Sequence, residues 1–331
     1  MEVILSGMRP TGNLHLGNYF GALKNFVSLQ ESYNCYFFIA DYHSLTTHPH
    51  PLDLHQNVKN ILCQYLACGL NPDKSTIYLQ SSVPEVCELY MYLNMNAYIG
   101  ELERVSSFKE KVRQNPNNVN AGLLTYPTLM AADILLHRAT KVPVGKDQEQ
   151  HLEMTRVFAN RFNNMYGVEY FPLPIAFNFS NELVKVPSLD GNGKMSKSYG
   201  ENNTIYFTDE TSALKKKIMR AKTDEGPKEK NSKKSVEIEN LFALLNLVSK
   251  KEIVNQFNDS YNDCSIRYGD LKKQLFEDID TFIAPFREKI KELENDDKYL
   301  SKVINQGAEK ARESAKKTIK EVREIIGFKA F

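Results

Sequence analysis

The sequence predicts an α/β protein: a parallel sheet wound with helices, followed by a C-terminal all-helical domain. Three observations carry that expectation. Apolar runs of strand length alternate with stretches whose apolar residues recur at helical spacing. A strand, turn and helix open the chain, and the same unit recurs from Val142 onwards. After Asn202 the strand-like runs stop, and Glu, Lys and Asn dominate a tail with helical periodicity.

Taken in order, Val3 to Met8 reads as a short buried strand, broken by Arg9-Pro10-Thr11-Gly12 before Leu14 to Leu29 takes up helical spacing. Tyr36 to Ala40 is the next strand. Asp53 is expected to cap a helix with Leu54, Val58, Ile61, Leu62, Tyr65 and Leu66 on one face, ended by Gly69. Thr76 to Gln80 and Val142 to Val144 follow as strands, and Gly145 turns the chain into a helix from about Asp147 to Tyr166. Such alternation builds a sheet that binds ligands at the carboxyl ends of its strands. In the tail, Leu241 to Val248, Leu271 to Ile283, Tyr299 to Ile304 and Ile319 to Ile326 form helical stripes. The boundary is expected after residue 205, with 1–205 the sheet domain and 206–331 the helical one.

The 331 residues, 42% hydrophobic and 25% charged, have globular composition and suffice for two packed units. A net charge of +1 hides an uneven distribution. Leu214 to Lys234 holds nine Lys or Arg against three acids, a balance of 9 − 3 = +6. Such a run suits nucleic-acid phosphates, and a solvated linker face accounts for it equally well. Five cysteines, an odd number without a CxxC pair, point to reduced thiols in the cytoplasm. No secretory leader or apolar run of ~20 residues is visible, so neither export nor a membrane role is expected.

Two segments carry chemistry. In Pro10-Thr11-Gly12-Asn13-Leu14-His15-Leu16-Gly17-Asn18, Gly12 lets the backbone turn and Gly17 leaves room for a ligand. His15 and Asn18, a helical turn apart, offer donors beside a helix N-terminus suited to an anionic polyphosphate. Alone this string is weak, since a capping histidine explains it. In Gly191-Asn192-Gly193-Lys194-Met195-Ser196-Lys197-Ser198, two lysines three residues apart sit in a loop made pliable by Gly and Asn. Closing late over a leaving pyrophosphate, they would stabilise charge in the transition state. Together, in this order and about 180 residues apart, the segments resemble the paired ATP signatures of class I aminoacyl-tRNA synthetases.

The resemblance extends through Ser6 to Pro10, Asp41 to His43, Gly100 to Arg104, Phe108 to Lys111, Tyr126 to Leu135 and Val142 to His151, in the order and spacing of bacterial tryptophanyl-tRNA synthetases. It implies a Rossmann-like catalytic domain that includes the dimer-interface segment, and a helical domain reading the anticodon. Met130, Val142 and Val144 are implied as walls of an indole pocket, with Asp133 accepting the indole N–H; Leu5, Gly7, His43, Tyr126 and Gln148 complete the tryptophan contacts. Met and Val at these spacings also serve as ordinary core. Asp133, set among Leu129 to Leu136, would be costly there unpaired. Arg9, Thr11, His15, Gly17, Asn18, Gly145, Asp147, Lys194, Met195, Ser196 and Lys197 are implied as ATP contacts. Lys111, Lys194 and Lys197 are the implied catalytic cations, Lys109 being too close to Lys111 to be told apart. Arg9 stands where many bacterial relatives have glutamine, and Lys146 where glutamate is common. Cys264, alone in the tail, cannot hold the iron–sulfur cluster of some relatives.

The implied reaction joins tryptophan to its tRNA through an adenylate, using ATP with Mg²⁺ and no protein metal site. The implied partners are tRNA(Trp) and a second subunit in a homodimer, with no DNA. Three other readings stay open: a tyrosine-specific relative, a nucleotidyltransferase of the same fold, and an inactive RNA-binding paralogue. Amino acid activation separates them.

Overall fold

The computed structural model describes residues 2–145, 148–177, 185–191, 193–197 and 200–328. Five strands, β1 (Val3–Met8), β2 (Asn34–Ile39), β3 (Thr76–Leu79), β4 (Lys141–Val142) and β5 (Ile175–Ala176), pair in parallel in the order β3-β2-β1-β4-β5. The order reverses beside β1, which pairs β2 on one side and β4 on the other. A crevice opens there at the carboxyl ends of the strands. β4 stops at Val142, short of the expected Val144, because Pro143 has no N–H for the ladder.

Alternation along the strands feeds two cores. Ile4, Phe37, Ile39 and Ile77 face one side of the sheet, and Leu5, Tyr36, Phe38, Tyr78 and Val142 the other. The first helix, α1 (16–29), changes from α to π geometry over Tyr19–Leu23 and back. That widened turn carries Tyr19 and Phe20 onto Phe282 and Phe286 of the tail, ring centroids 5.5–5.7 Å apart. Helix α2 (Pro51–Ala67) begins at Pro51 with His50 at the N-cap, not at Asp53. Proline suits the first position, and Asp53 lies in the first turn, where its charge complements the helix dipole. Gly69, at φ +106°, makes the turn out. Next come α3 (Glu85–Asn94), α4 (Ser106–Gln114), α5 (Ala121–Leu136) and α6 (Glu149–Tyr166). The residues expected to start α6, from Asp147, lie partly outside the described residues.

The tail contains α7 (Thr211–Met219), α8 (Val236–Val248), α9 (Lys251–Asn262), α10 (Tyr268–Glu294) and α11 (Asp297–Ile326). The two last stripes of the sequence are one helix of 30 residues. Between them Gly307, Ala311 and Ala315 are buried, so small size replaces an apolar stripe. A Cβ on Gly307 would lie 1.7 Å from the Ile77 carbonyl oxygen, so α11 packs against β3 at backbone distance. The helical tail therefore ends on the sheet. Among the described residues no helix is long and apolar enough to cross a membrane.

Candidate active site

The crevice between β1 and β4 leads into a cavity of about 480 Å³. Leu5 to Arg9 form its floor, Val142 to Gly145 one wall, and α5 the opposite wall through Tyr126, Met130, Asp133 and Ile134. Gly7 has a steric reason: a Cβ there would fall 2.4 Å from the Phe38 ring. Asn120 caps α5 by accepting the Leu123 N–H at 2.9 Å, and the helix carries Pro127 without breaking.

Asp133 is the buried charge of this wall, 4% exposed. Gln80 Nε2 donates to both its carboxylate oxygens at 2.9 Å, and His43 Nε2 lies 3.1 Å from Oδ2. Burial pushes the carboxyl upward from its ordinary value, while the bonds from His43 and Gln80 pull it back. The opposite end of the cavity is polar. Tyr126 Oη contacts His151 Nε2 and Ser107 Oγ, and His151 Nδ1 lies 3.1 Å from Gln148 Oε1. Lys111 Nζ sits 4.1 Å from the centre of the Tyr126 ring and borders the cavity, whereas Lys109 is exposed. Burial and then the nearby Arg9 lower the Lys111 pKa. Of the two lysines, the face of α4 that turns inward carries Lys111 and the outward face Lys109.

Met8 and Arg9 also border a second cavity, of about 270 Å³, with Thr11, Leu14, His15, Asn18, Ser196 and Lys197. His15 is held near a pKa of about 4 by burial, then by Lys197 and Lys194, so it enters as a neutral ring. Asn18 Oδ1 accepts the His15 backbone N–H at 3.1 Å, fixing the turn in which the histidine sits. Lys197 Nζ donates to the Thr11 carbonyl at 3.1 Å, and burial lowers it to about 8. A Cβ on Gly17 would sit 2.9 Å from the His15 ring.

One of the expected contacts, Met195, lies away from both cavities. Met195 is 1% exposed and its side chain packs in the core, where it anchors the lysine segment. The Met195 N–H donates to Val186 O at 2.8 Å, and Pro187 bridges Lys194, so this stretch is pinned between its two lysines. Asp147, Lys146 and Ser198 lie outside the described residues. The remaining expected residues border one cavity or the other, except Gly17 and Lys194, which flank the second. Sequence reasoning missed Gln80 and Ser107 and gave His151 no role. Gln80 follows the carboxyl end of β3, a place that nothing in its local sequence marks as a partner of Asp133.

With this geometry in place, the comparisons are specific. Residues 2–284 match the family model for class I tRNA synthetases of the tryptophan and tyrosine type, and the chain belongs to that family. It is 61% identical over 99% of its length to the whole tryptophan–tRNA ligase of Porphyromonas gingivalis. It is 46% identical to that of Fusobacterium nucleatum, covering 99% of this chain and 98% of the relative. The crystal structure of Campylobacter jejuni tryptophanyl-tRNA synthetase, complexed with ADP and tryptophan, superposes with a TM-score of 0.89 at 38% identity, covering 99% of this chain and all of that one.

Proposed function

We propose that the two adjoining cavities make this chain a tryptophan–tRNA ligase acting in two steps. The carrying observation is their adjacency: an apolar cavity with one buried carboxylate shares Met8 and Arg9 with a cavity edged by cations. Tryptophan binds with its ring between Met130, Val142 and Val144 and its indole N–H toward Asp133. Tyr126 and Gln148 face its ammonium end. The carboxylate attacks the α-phosphorus of ATP, pyrophosphate leaves, and the mixed anhydride retains the aminoacyl group. The terminal ribose hydroxyl of tRNA(Trp) then attacks the acyl carbon and AMP departs.

No protein nucleophile is required. Arg9, Lys111, Lys194 and Lys197 gather around the phosphates, where negative charge shifts onto the leaving pyrophosphate. Burial lowers the pKa values of Arg9 and Lys111, and Arg9 adds to the effect on Lys111, so an incoming anion compensates two partly desolvated cations. Gly145 and Asp147 are assigned to the nucleotide side. Mg²⁺ fits as a passenger of ATP: among the described residues the second cavity is bordered by donors and no carboxylate, so phosphate oxygens and water would hold it. It would shield phosphate charge.

The helical part, 206–331, is assigned to the anticodon of tRNA, and a homodimer is the proposed assembly. Five free cysteines fit a reducing cytoplasm. ATP–pyrophosphate exchange with a panel of amino acids tests the reading. Exchange driven by tryptophan supports it, and preferential exchange with tyrosine or none at all overturns it.

A further inference from the structure

Gln80 opens the turn Gln80–Ser82 at the carboxyl end of β3 and is 1% exposed. It is not part of the cavity wall that Asp133 borders. Both ends of its amide are engaged. Nε2 donates to Asp133 Oδ1 and Oδ2 at 2.9 Å, and Oε1 accepts the His43 backbone N–H at 3.4 Å. Reversing the amide would put its carbonyl against the carboxylate and its NH₂ against an N–H, so the orientation is determined by the partners. His43 adds its ring to Oδ2 at 3.1 Å.

We propose that Gln80 is a positioning residue for amino acid selection, fixing the plane of the Asp133 carboxylate so that its remaining lone pair faces an aromatic N–H in the cavity. This rests on the tryptophan reading of that cavity. A carboxylate can accept about four hydrogen bonds. Gln80 and His43 occupy the protein side of Asp133, and a ring N–H completes the set, whereas a ring without one leaves a buried acceptor short. Without Gln80 the carboxylate loses the amide that donates to both its oxygens and can turn. Burial then weighs more heavily toward the protonated acid, whose O–H is mismatched to a ring N–H.

The test replaces Gln80 with methionine, of similar volume but without a donor, and measures pyrophosphate exchange. Tryptophan is compared with its benzothiophene analogue, in which sulfur stands for the ring N–H. For Gln80→Met, kcat/KM for tryptophan should fall by about 10- to 100-fold, the effect of removing a partner from a buried polar group. The analogue and the KM for ATP should change little, and the acid limb of the tryptophan profile should move to higher pH. Equal losses for both amino acids with an unmoved acid limb would overturn the proposal. Gln80→His, which keeps an N–H, should retain more of the preference for tryptophan; if the methionine variant does not fold, loss of that preference in the histidine variant overturns it. A native protein that prefers tyrosine defeats the tryptophan reading itself, whereas a tryptophan-selective native protein with unchanged selectivity in Gln80→Met defeats only this assignment.

Discussion

Lys197 carries its charge under strain of environment. Burial lowers its pKa to about 8, so in the free protein the ammonium neutralises as pH rises through that value. In the proposed mechanism the charged form assists pyrophosphate departure, so kcat/KM for ATP should decline above pH ~8. Lys197→Arg should remove this limb because guanidinium stays charged. Lys197→Ala should slow activation by roughly 10² or more below that pH, the gap to the native protein narrowing above it, while sparing tryptophan affinity. A pH profile of pyrophosphate exchange at low ATP decides it; an identical basic limb in the arginine variant would assign the titration elsewhere. Asp133 makes the complementary case for selectivity. Sites built on such a bond discriminate by about 10⁴, and apolar walls alone by ~10 to 200 fold. Asp133→Ala should therefore cut tryptophan activation and narrow its lead over phenylalanine, with the KM for ATP preserved. Unaltered selectivity in that variant would show that Asp133 does not read the ring.

At the scale of elements, α11 is held to the sheet by features of opposite kinds. Gly307 removes all bulk where the helix meets Ile77, so Gly307→Ala must displace backbone from backbone. The expected cost is about 1–3 kcal/mol or more, read as a lowered denaturation midpoint. His137 supplies the polar tie, with Nε2 3.1 Å from Tyr78 Oη, Nδ1 3.2 Å from Ser314 Oγ, and its ring stacked on Tyr36. Burial depresses its pKa to about 3, below the unfolded value of 6.5. The unfolded chain thus binds the extra proton first, and stability contributed by the neutral ring is lost as pH falls from about 6.5 toward 3. Replacing His137 with phenylalanine should flatten that acid loss in denaturation curves. Neither feature was legible in the sequence. A glycine within a helical stretch reads as a defect until the neighbouring strand is known, and His137 joins residues far apart in the chain. What was legible had local causes: apolar runs gave three strands nearly whole, and Gly69 ended its helix. Asp133 was legible as a buried carboxylate because its neighbours are all apolar, but Gln80, its partner 53 positions away, was not.

For the whole molecule, the basic tract 214–234 is where sequence left two readings open, and its parts now separate. Lys217 is a structural ion: Nζ meets Asp209 at 2.7 Å and the Thr204 carbonyl at 3.0 Å, with the Tyr206 ring centre at 4.8 Å. Lys222 pairs with Glu237, Lys228 with Glu225, and Lys234 lies over Phe242 and Tyr261. Lys216 and Arg220, one turn apart, are exposed and make no ion pair among the described residues. Two uncompensated cations on one face suit RNA phosphates better than the tract as a whole does. If they meet tRNA, changing both to glutamine should weaken tRNA binding and flatten its log–log salt dependence by roughly one to two units, since each phosphate contact contributes about 0.7–0.9. Tryptophan activation should be untouched. Lys217→Ala should act differently, lowering stability through the unpaired Asp209 with little change in salt slope. Binding of tRNA measured across a salt series, with a denaturation curve for each variant, distinguishes the two roles. A salt slope unchanged in the double variant would leave Lys216 and Arg220 as solvated surface charges.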